Sequence, residues 1–124
     1  MDISMVSESP VNERGGQSAY MLLAKGQFGT TNLSVTWVEC PPGSEQPLHQ
    51  HEAQEQVYVI IRGRGVLIVG DEQREVSEGT LISVPKRTRH AIRTASEERM
   101  AYVSATSPPF AGTELGAAFA FERR

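Results

Sequence analysis

Two histidines, His49 and His51, stand one residue apart in the stretch PLHQHEAQEQVYVIIRGRG. On an extended chain the side chains alternate, so residues i and i+2 point to one face and their ring nitrogens can reach a single cation. The plain alternative is a pair of surface-loop imidazoles beside Pro47, and the pair alone does not decide between the two. One further histidine, His90, completes the set. Other reactive groups are few. Cys40 is the single cysteine, which rules out an intrachain disulfide, and it reads better as a small buried hydrophobe than as a nucleophile. No serine has an evident base partner, and Arg62-Gly63-Arg64-Gly65 lacks the lysine and the following helix of a phosphate-binding loop.

Side chains at such spacing work only if strands hold them, and the chain reads as strands. NLSVTWVEC alternates around Val35, Trp37 and Val38. QVYVII and GVLIV are dense in β-branched residues, and TLISVP, HAIRT and MAYVSAT follow. Turn signals separate them: Pro41-Pro42-Gly43, Gly63-Arg64-Gly65, Gly70-Asp71-Glu72, Glu78-Gly79 and Ser96-Glu97-Glu98. Many short strands with little helical periodicity indicate an all-β sandwich or barrel. VLIVGDEQREV is expected to be a hairpin with Gly70-Asp71 near its tip. Residues 1–16, polar and ending in Gly15-Gly16, are expected to form a loose N-terminal arm, and residues 17–124 the folded domain. A short C-terminal helix over Thr113–Arg124, capped by Thr113, competes with an extra strand there.

A chain of 124 residues suits one domain with one core, and its 39% hydrophobic and 22% charged content is ordinary for a globular protein. A net charge of −3 offers no electrostatic case for nucleic acid or anionic membrane. No apolar run approaches the length of a membrane span, and the acidic start MDISMVSESP lacks the features of a signal peptide. A cytoplasmic setting is therefore expected.

Counting outward from the histidines gives a sharper reading. Five residues separate Gly43 from His49, one separates His49 from His51, four separate His51 from Gln56, and six separate Gln56 from Gly63. Further on, five residues separate Gly79 from Pro85 and four separate Pro85 from His90. This pattern resembles the two motifs of the cupin family, Gly-x5-His-x-His-x3-4-Glu-x6-Gly and Gly-x5-Pro-x-Gly-x2-His-x3-Asn. The resemblance covers residues 43–94 closely, with the two motifs at 43–63 and 79–94, and all three histidines fall on the family's histidine positions. It implies an antiparallel double-stranded β-helix, a jelly-roll barrel. It further implies one divalent metal ion (Mn, Fe, Ni, Co or Zn) held by His49, His51, His90 and a fourth ligand. Small cupins of this kind also resemble one another in forming homodimers, and here the arm and Met21-Leu22-Leu23 are expected to supply the apolar contact.

Three positions depart from the motifs. Gln56 stands where the family has glutamate, Arg87 where it has glycine, and Thr94 where it has asparagine. The last two are turn and scaffold positions, and the loss of glycine requires the Pro85–Arg89 turn to avoid a positive φ at residue 87. Glu55 adjoins Gln56 and could take the ligand position instead. The six residues to Gly63 favour Gln56, and strand alternation prevents both from entering the lumen. With three neutral imidazoles and a neutral amide, the ion keeps its full +2 charge, where a carboxylate would leave +1. The glutamine set therefore binds less strongly through charge but makes a stronger Lewis acid.

From Gln56, alternation carries Tyr58 and Ile60 inward; from His90, Thr88 and Ile92. On MAYVSAT, Tyr102, Ser104 and Thr106 share a face that is expected to line the pocket. Tyr58 and Tyr102 are the candidate catalytic groups, because a buried phenol must find a polar partner and the three histidines are already used as ligands. Glu39 is a further candidate for proton transfer. Arg62, Arg64, Arg87, Arg89, Arg93 and Arg99 are expected mainly at solvated edges, one of them being able to clamp an acidic substrate. The resemblance implies a metal-dependent enzyme acting on a small molecule by Lewis-acid or oxygen chemistry. The alternative is a non-catalytic module that holds a small ligand. The group of cupins that linearises unsaturated uronates shares the His-x-His-x4-Gln spacing and a Ser-Pro-Pro like Ser107-Pro108-Pro109. The acidic, aromatic and arginine residues that group uses nearby are missing here.

Overall fold

A computed structural model describes residues 1–95 and 97–110. The expected C-terminal helix over Thr113–Arg124 lies outside the described residues. Ten strands follow one another: β1 (Val11–Arg14), β2 (Gln17–Leu23), β3 (Ser34–Cys40), β4 (Glu45–His49), β5 (Glu55–Arg62), β6 (Arg64–Val69), β7 (Glu72–Ser77), β8 (Leu81–Val84), β9 (His90–Thr94) and β10 (Met100–Ser107). Every pairing is antiparallel. One sheet has the order β1-β2-β3-β10-β5-β8 and the other β4-β9-β6-β7. The fold is the all-β jelly roll that the motif spacing implied. The β6–β7 hairpin turns at Gly70-Asp71, as read from the sequence, with Val69 opposite Glu72. No helix among the described residues is long and apolar enough to cross a membrane.

Register decides what fills the barrel. On the inner face of the larger sheet, Ser34, Thr106, Gln56 and Val84 lie side by side in one row. Thr36, Ser104, Tyr58 and Ile82 form the next, and Val38, Tyr102 and Ile60 the one after. The barrel is thus polar toward one end and apolar toward the other. At the apolar end Cys40, Ile60, Ile92, Met100 and Tyr102 are almost wholly buried, with Leu67 and Val76 from the smaller sheet against them. Burying side chains of this size contributes roughly 2 kcal/mol each. The face of β3 differs from its sequence reading. Ser34, Thr36, Val38 and Cys40 point inward, whereas Val35 and Trp37 lie half-buried on the outer face. Apolar residues stand on both faces of this strand, so periodicity alone could not tell inside from outside.

Part of the stretch expected as a loose arm is a strand. β1 pairs with β2 across Gly15 and Gly16, both at positive φ, as a two-residue hairpin of type I′ requires. The tip of this hairpin is pinned to the other sheet, because the Glu45 amide donates to the Gly15 carbonyl at 3.1 Å. A Cβ on Gly15 would stand 2.0 Å from the Glu45 carbonyl oxygen, so only glycine allows this approach.

Candidate metal centre

His49 ends β4, His90 opens β9 opposite it, and His51 follows β4 by two residues. The three imidazoles are buried, and their candidate ligand atoms lie within 4.8 Å of one another. Ring centroids are 4.1 to 5.3 Å apart. Two of the rings are oriented from behind. His49 Nδ1 meets the Pro47 carbonyl at 2.6 Å and His90 Nδ1 meets the Thr88 carbonyl at 3.0 Å. A carbonyl only accepts, so each Nδ1 carries the proton and each Nε2 is left with its lone pair. Those two Nε2 atoms are buried without hydrogen-bond partners. His51 is held through its backbone, since its carbonyl accepts from the Arg87 amide at 2.6 Å.

Burial keeps the imidazoles neutral. It pushes His49 down to about 3, helped by the charges of His90, His51 and Arg14 and opposed by the Pro47 hydrogen bond. It pushes His51 to about 4, with His90 and Arg14 acting in the same direction. His90 is also lowered by burial. At neutral pH all three present lone pairs, which is the ligating form.

Gln56 is buried on the inner face of the larger sheet, whereas His49 and His90 belong to the smaller one, and Glu55 is exposed on the opposite face of β5. The Gln56 Nε2 donates to Thr106 Oγ1 at 3.0 Å and to Ser104 Oγ at 3.3 Å, while its Oε1 is buried without a partner. Two hydroxyls therefore hold the amide with its oxygen left for another group. Carbonyl-type oxygen with imidazole nitrogen suits a divalent transition metal. Unsatisfied buried acceptors cost about 1–3 kcal/mol each when nothing meets them, a cost that a cation held by these atoms would relieve.

Tyr58, Tyr102, Ser104 and Thr106 line the space beside the histidines, together with Met21, Ser34, Thr36, Val38, Gln46 and Phe110. The Tyr58 hydroxyl reaches Gln46 Oε1 at 3.5 Å, and the two tyrosine rings lie 4.8 Å apart. Burial raises both phenols far above their ordinary range, so they act as neutral hydrogen-bonding groups. Ile60 and Ile92 belong to the apolar core, away from this space. Thr88 is half-buried, with its hydroxyl donating to the Lys86 carbonyl. The Phe110 ring packs 4.4 Å from that of His51.

Three expectations need correction. Glu39 is on the outer face of β3, where it accepts from Trp37 Nε1 and Arg62 at 2.6 Å each, so it cannot exchange protons in the lumen. Arg87 does adopt a positive φ, 59°, in place of the motif's glycine. Holding its amide on the His51 carbonyl offsets the roughly 1–2 kcal/mol cost of that conformation. Met21 is buried in the barrel wall and is not available to a second chain. Thr94 is the scaffold residue expected: its hydroxyl lies near the Pro41 and Cys40 carbonyls and Ser44 Oγ, tying β9 to the β3–β4 connection.

One half-buried arginine, Arg14, was not among the candidates. Arg14 lines a small space with Gln17, Ala19, Val38, Gln46 and Tyr102, while the six arginines named from the sequence are exposed. The signal was present in Arg14-Gly15-Gly16-Gln17, a hairpin turn motif.

Comparison with other proteins agrees with this geometry. A protein of uncharacterised function from Methanocaldococcus jannaschii is 32% identical over 101 residues, 82% of this chain and 81% of its own length. The dimethylsulfoniopropionate lyase DddQ of Ruegeria pomeroyi is 33% identical over 88 residues, 69% of this chain but 43% of the lyase. The crystal structure of a predicted oxalate decarboxylase from Thermotoga maritima superposes with a TM-score of 0.77 at 18% identity, covering 86% of this chain and 98% of that one. The cupin domain family matches residues 36–106, through every strand that carries a candidate ligand, and the chain belongs to the cupin family.

Proposed function

We propose that this protein is a metal-dependent cupin that binds one divalent transition metal through His49, His51, His90 and Gln56 and acts on a small organic molecule. The observation that carries this reading is the clustering of the three histidines' ligand atoms within 4.8 Å, with the Nε2 atoms of His49 and His90 buried and unpartnered; the buried, unpartnered Oε1 of Gln56 supports the fourth position. A bound ion would supply Lewis acidity there. The Pro47, Thr88, Ser104 and Thr106 contacts would fix the ligand orientations, and Tyr58 and Tyr102 line a space together with Gln56, Ser104 and Thr106. Tyr58 and Tyr102 are the groups proposed to hold or pass protons in catalysis. The similarity to a lyase supports an enzyme over a passive binder.

Metal content tests the reading. Protein purified without a histidine tag is expected to carry about one metal per chain, and His49→Ala/His51→Ala is expected to carry none while keeping its β-rich circular dichroism. Stoichiometric metal in that variant would refute the ligand set.

We also propose a cytoplasmic homodimer. Tyr20, Trp37, Val103, Val59 and Leu81 run as neighbours across the outer face of the larger sheet, with Leu23, Val35, Ala105 and Val57 beside them. A contiguous apolar stripe of this kind favours a second copy. Light scattering is expected to give twice the 13.6 kDa chain mass at micromolar concentration, and a monomer would exclude this contact.

A further inference from the structure

The β1–β2 hairpin brings a second set of polar groups to the lumen. Arg14 and Gln17 are direct cross-strand partners, so their side chains leave the hairpin on one face. Both line the space bounded also by Gln46 and Tyr102, and Gln46, Val38 and Tyr102 in turn line the space beside the histidines. Gln17 is buried, and its Nε2 meets no acceptor. A buried N–H donor left unsatisfied is costly, and an acceptor from a ligand would recover that cost. Beside it stands a guanidinium, partly desolvated and electrostatically coupled to Tyr58, Tyr102, His49 and His51. The hairpin tip is fixed to Glu45 on β4, the strand that also carries Gln46 and His49, so this pair has a set position relative to the histidines.

We propose that Arg14 and Gln17 form a carboxylate-binding subsite, so that the small molecule taken by this protein is an organic acid with its carboxylate on the hairpin and its other polar end toward the imidazoles. A guanidinium fork and an amide N–H match a planar monoanion, and among the described residues lining this space Arg14 is the one positive side chain, which suits a monoanion better than a phosphate dianion. The orientation of the acid rests on the histidine cluster being the metal centre; the subsite itself does not.

Calorimetric titration of the metal-loaded and metal-free protein with malonate, succinate, their neutral diamides and inorganic phosphate tests this. Each protein is checked for metal content and thermal unfolding. At least one of the two acids is expected to bind and its diamide not to. Arg14→Gln is expected to weaken acid binding by about tenfold or more with metal content unchanged, Arg14→Lys by less, and Gln17→Leu by several-fold. The dependence on Arg14 is expected to persist without metal. Acid and diamide binding alike, phosphate binding more tightly than either acid, neither acid binding at millimolar concentration, or folded Arg14→Gln and Arg14→Lys both within twofold of the parent would each overturn the proposal. Protein that takes up no metal yet loses acid binding on Arg14→Gln would instead refute the metal reading and leave the subsite standing.

Discussion

The two ends of the barrel are built from the same strands and filled in opposite ways. At one end Cys40, Met100, Ala101 and Ile92 are almost wholly buried beside other apolar side chains. At the other, three imidazoles cluster, and the Nε2 atoms of His49 and His90 and the Gln56 amide oxygen are buried with no hydrogen-bond partner. Native interiors rarely tolerate such atoms. The apolar end stabilises the fold, while the unsatisfied atoms at the other end carry a cost that a bound group would relieve.

The largest expected effect lies at the packed end. A Cβ on Gly63 would stand 2.4 Å from the Arg99 carbonyl oxygen and 2.9 Å from the Met100 Cα, at a φ of 80°. Both obstacles are backbone, so Gly63→Ala is expected to cost about 3 kcal/mol or more. Urea unfolding should show this while metal content per folded chain stays the same. A loss under 1 kcal/mol would mean the end is looser than it looks.

At the histidine end, acid should do what mutation does at the other. Unfolded imidazoles protonate near pH 6.5, whereas folded His49 and His51 do so near 3 and 4. Between these values the unfolded chain binds more protons, so stability of the metal-free protein rises with pH, is fully present above about 6.5 and is lost as pH falls toward 4. About 1–2 kcal/mol per histidine should disappear between pH 7 and pH 5. Bound metal should oppose this, since protons must compete with it. Equal unfolding midpoints at the two pH values, without metal, would contradict the desolvation of the cluster.

A smaller change sharpens the contrast within the site. Gln56→Glu leaves room for Ser104 and Thr106 to donate in place of accepting, so the fold should persist. The added negative charge is expected to raise metal affinity by about tenfold and to lower its Lewis acidity. Competition with a chromogenic chelator measures the first. Unchanged affinity, together with loss of metal in Glu55→Ala, would move the ligand to the neighbouring residue.

The sequence by itself determined much of this. Period-2 alternation put Tyr58 on the face of Gln56, and Tyr102, Ser104 and Thr106 on a common one. The same parity separated Gln56 from Glu55, because adjacent strand residues cannot both face inward. The strand and turn pattern indicated an all-β sandwich or barrel, and the resemblance of the glycine and histidine spacing to the cupin motifs implied the jelly roll; Gly43, Gly63 and Gly79 do occupy turns at positive φ. These are local constraints, and local constraints are legible one segment at a time. What only the tertiary structure decided involves contacts between distant segments. Whether Ser34 and Thr36 or Val35 and Trp37 faced the lumen depended on which sheet face was covered. Arg87 could keep a left-handed backbone because the His51 carbonyl, far away in the chain, met its amide. Arg14 joined the lumen because Gly15, lacking a side chain, let the hairpin tip reach Glu45 on the other sheet. Alternation fixes which side chains share a face, and only the pairing of remote strands fixes where that face ends up.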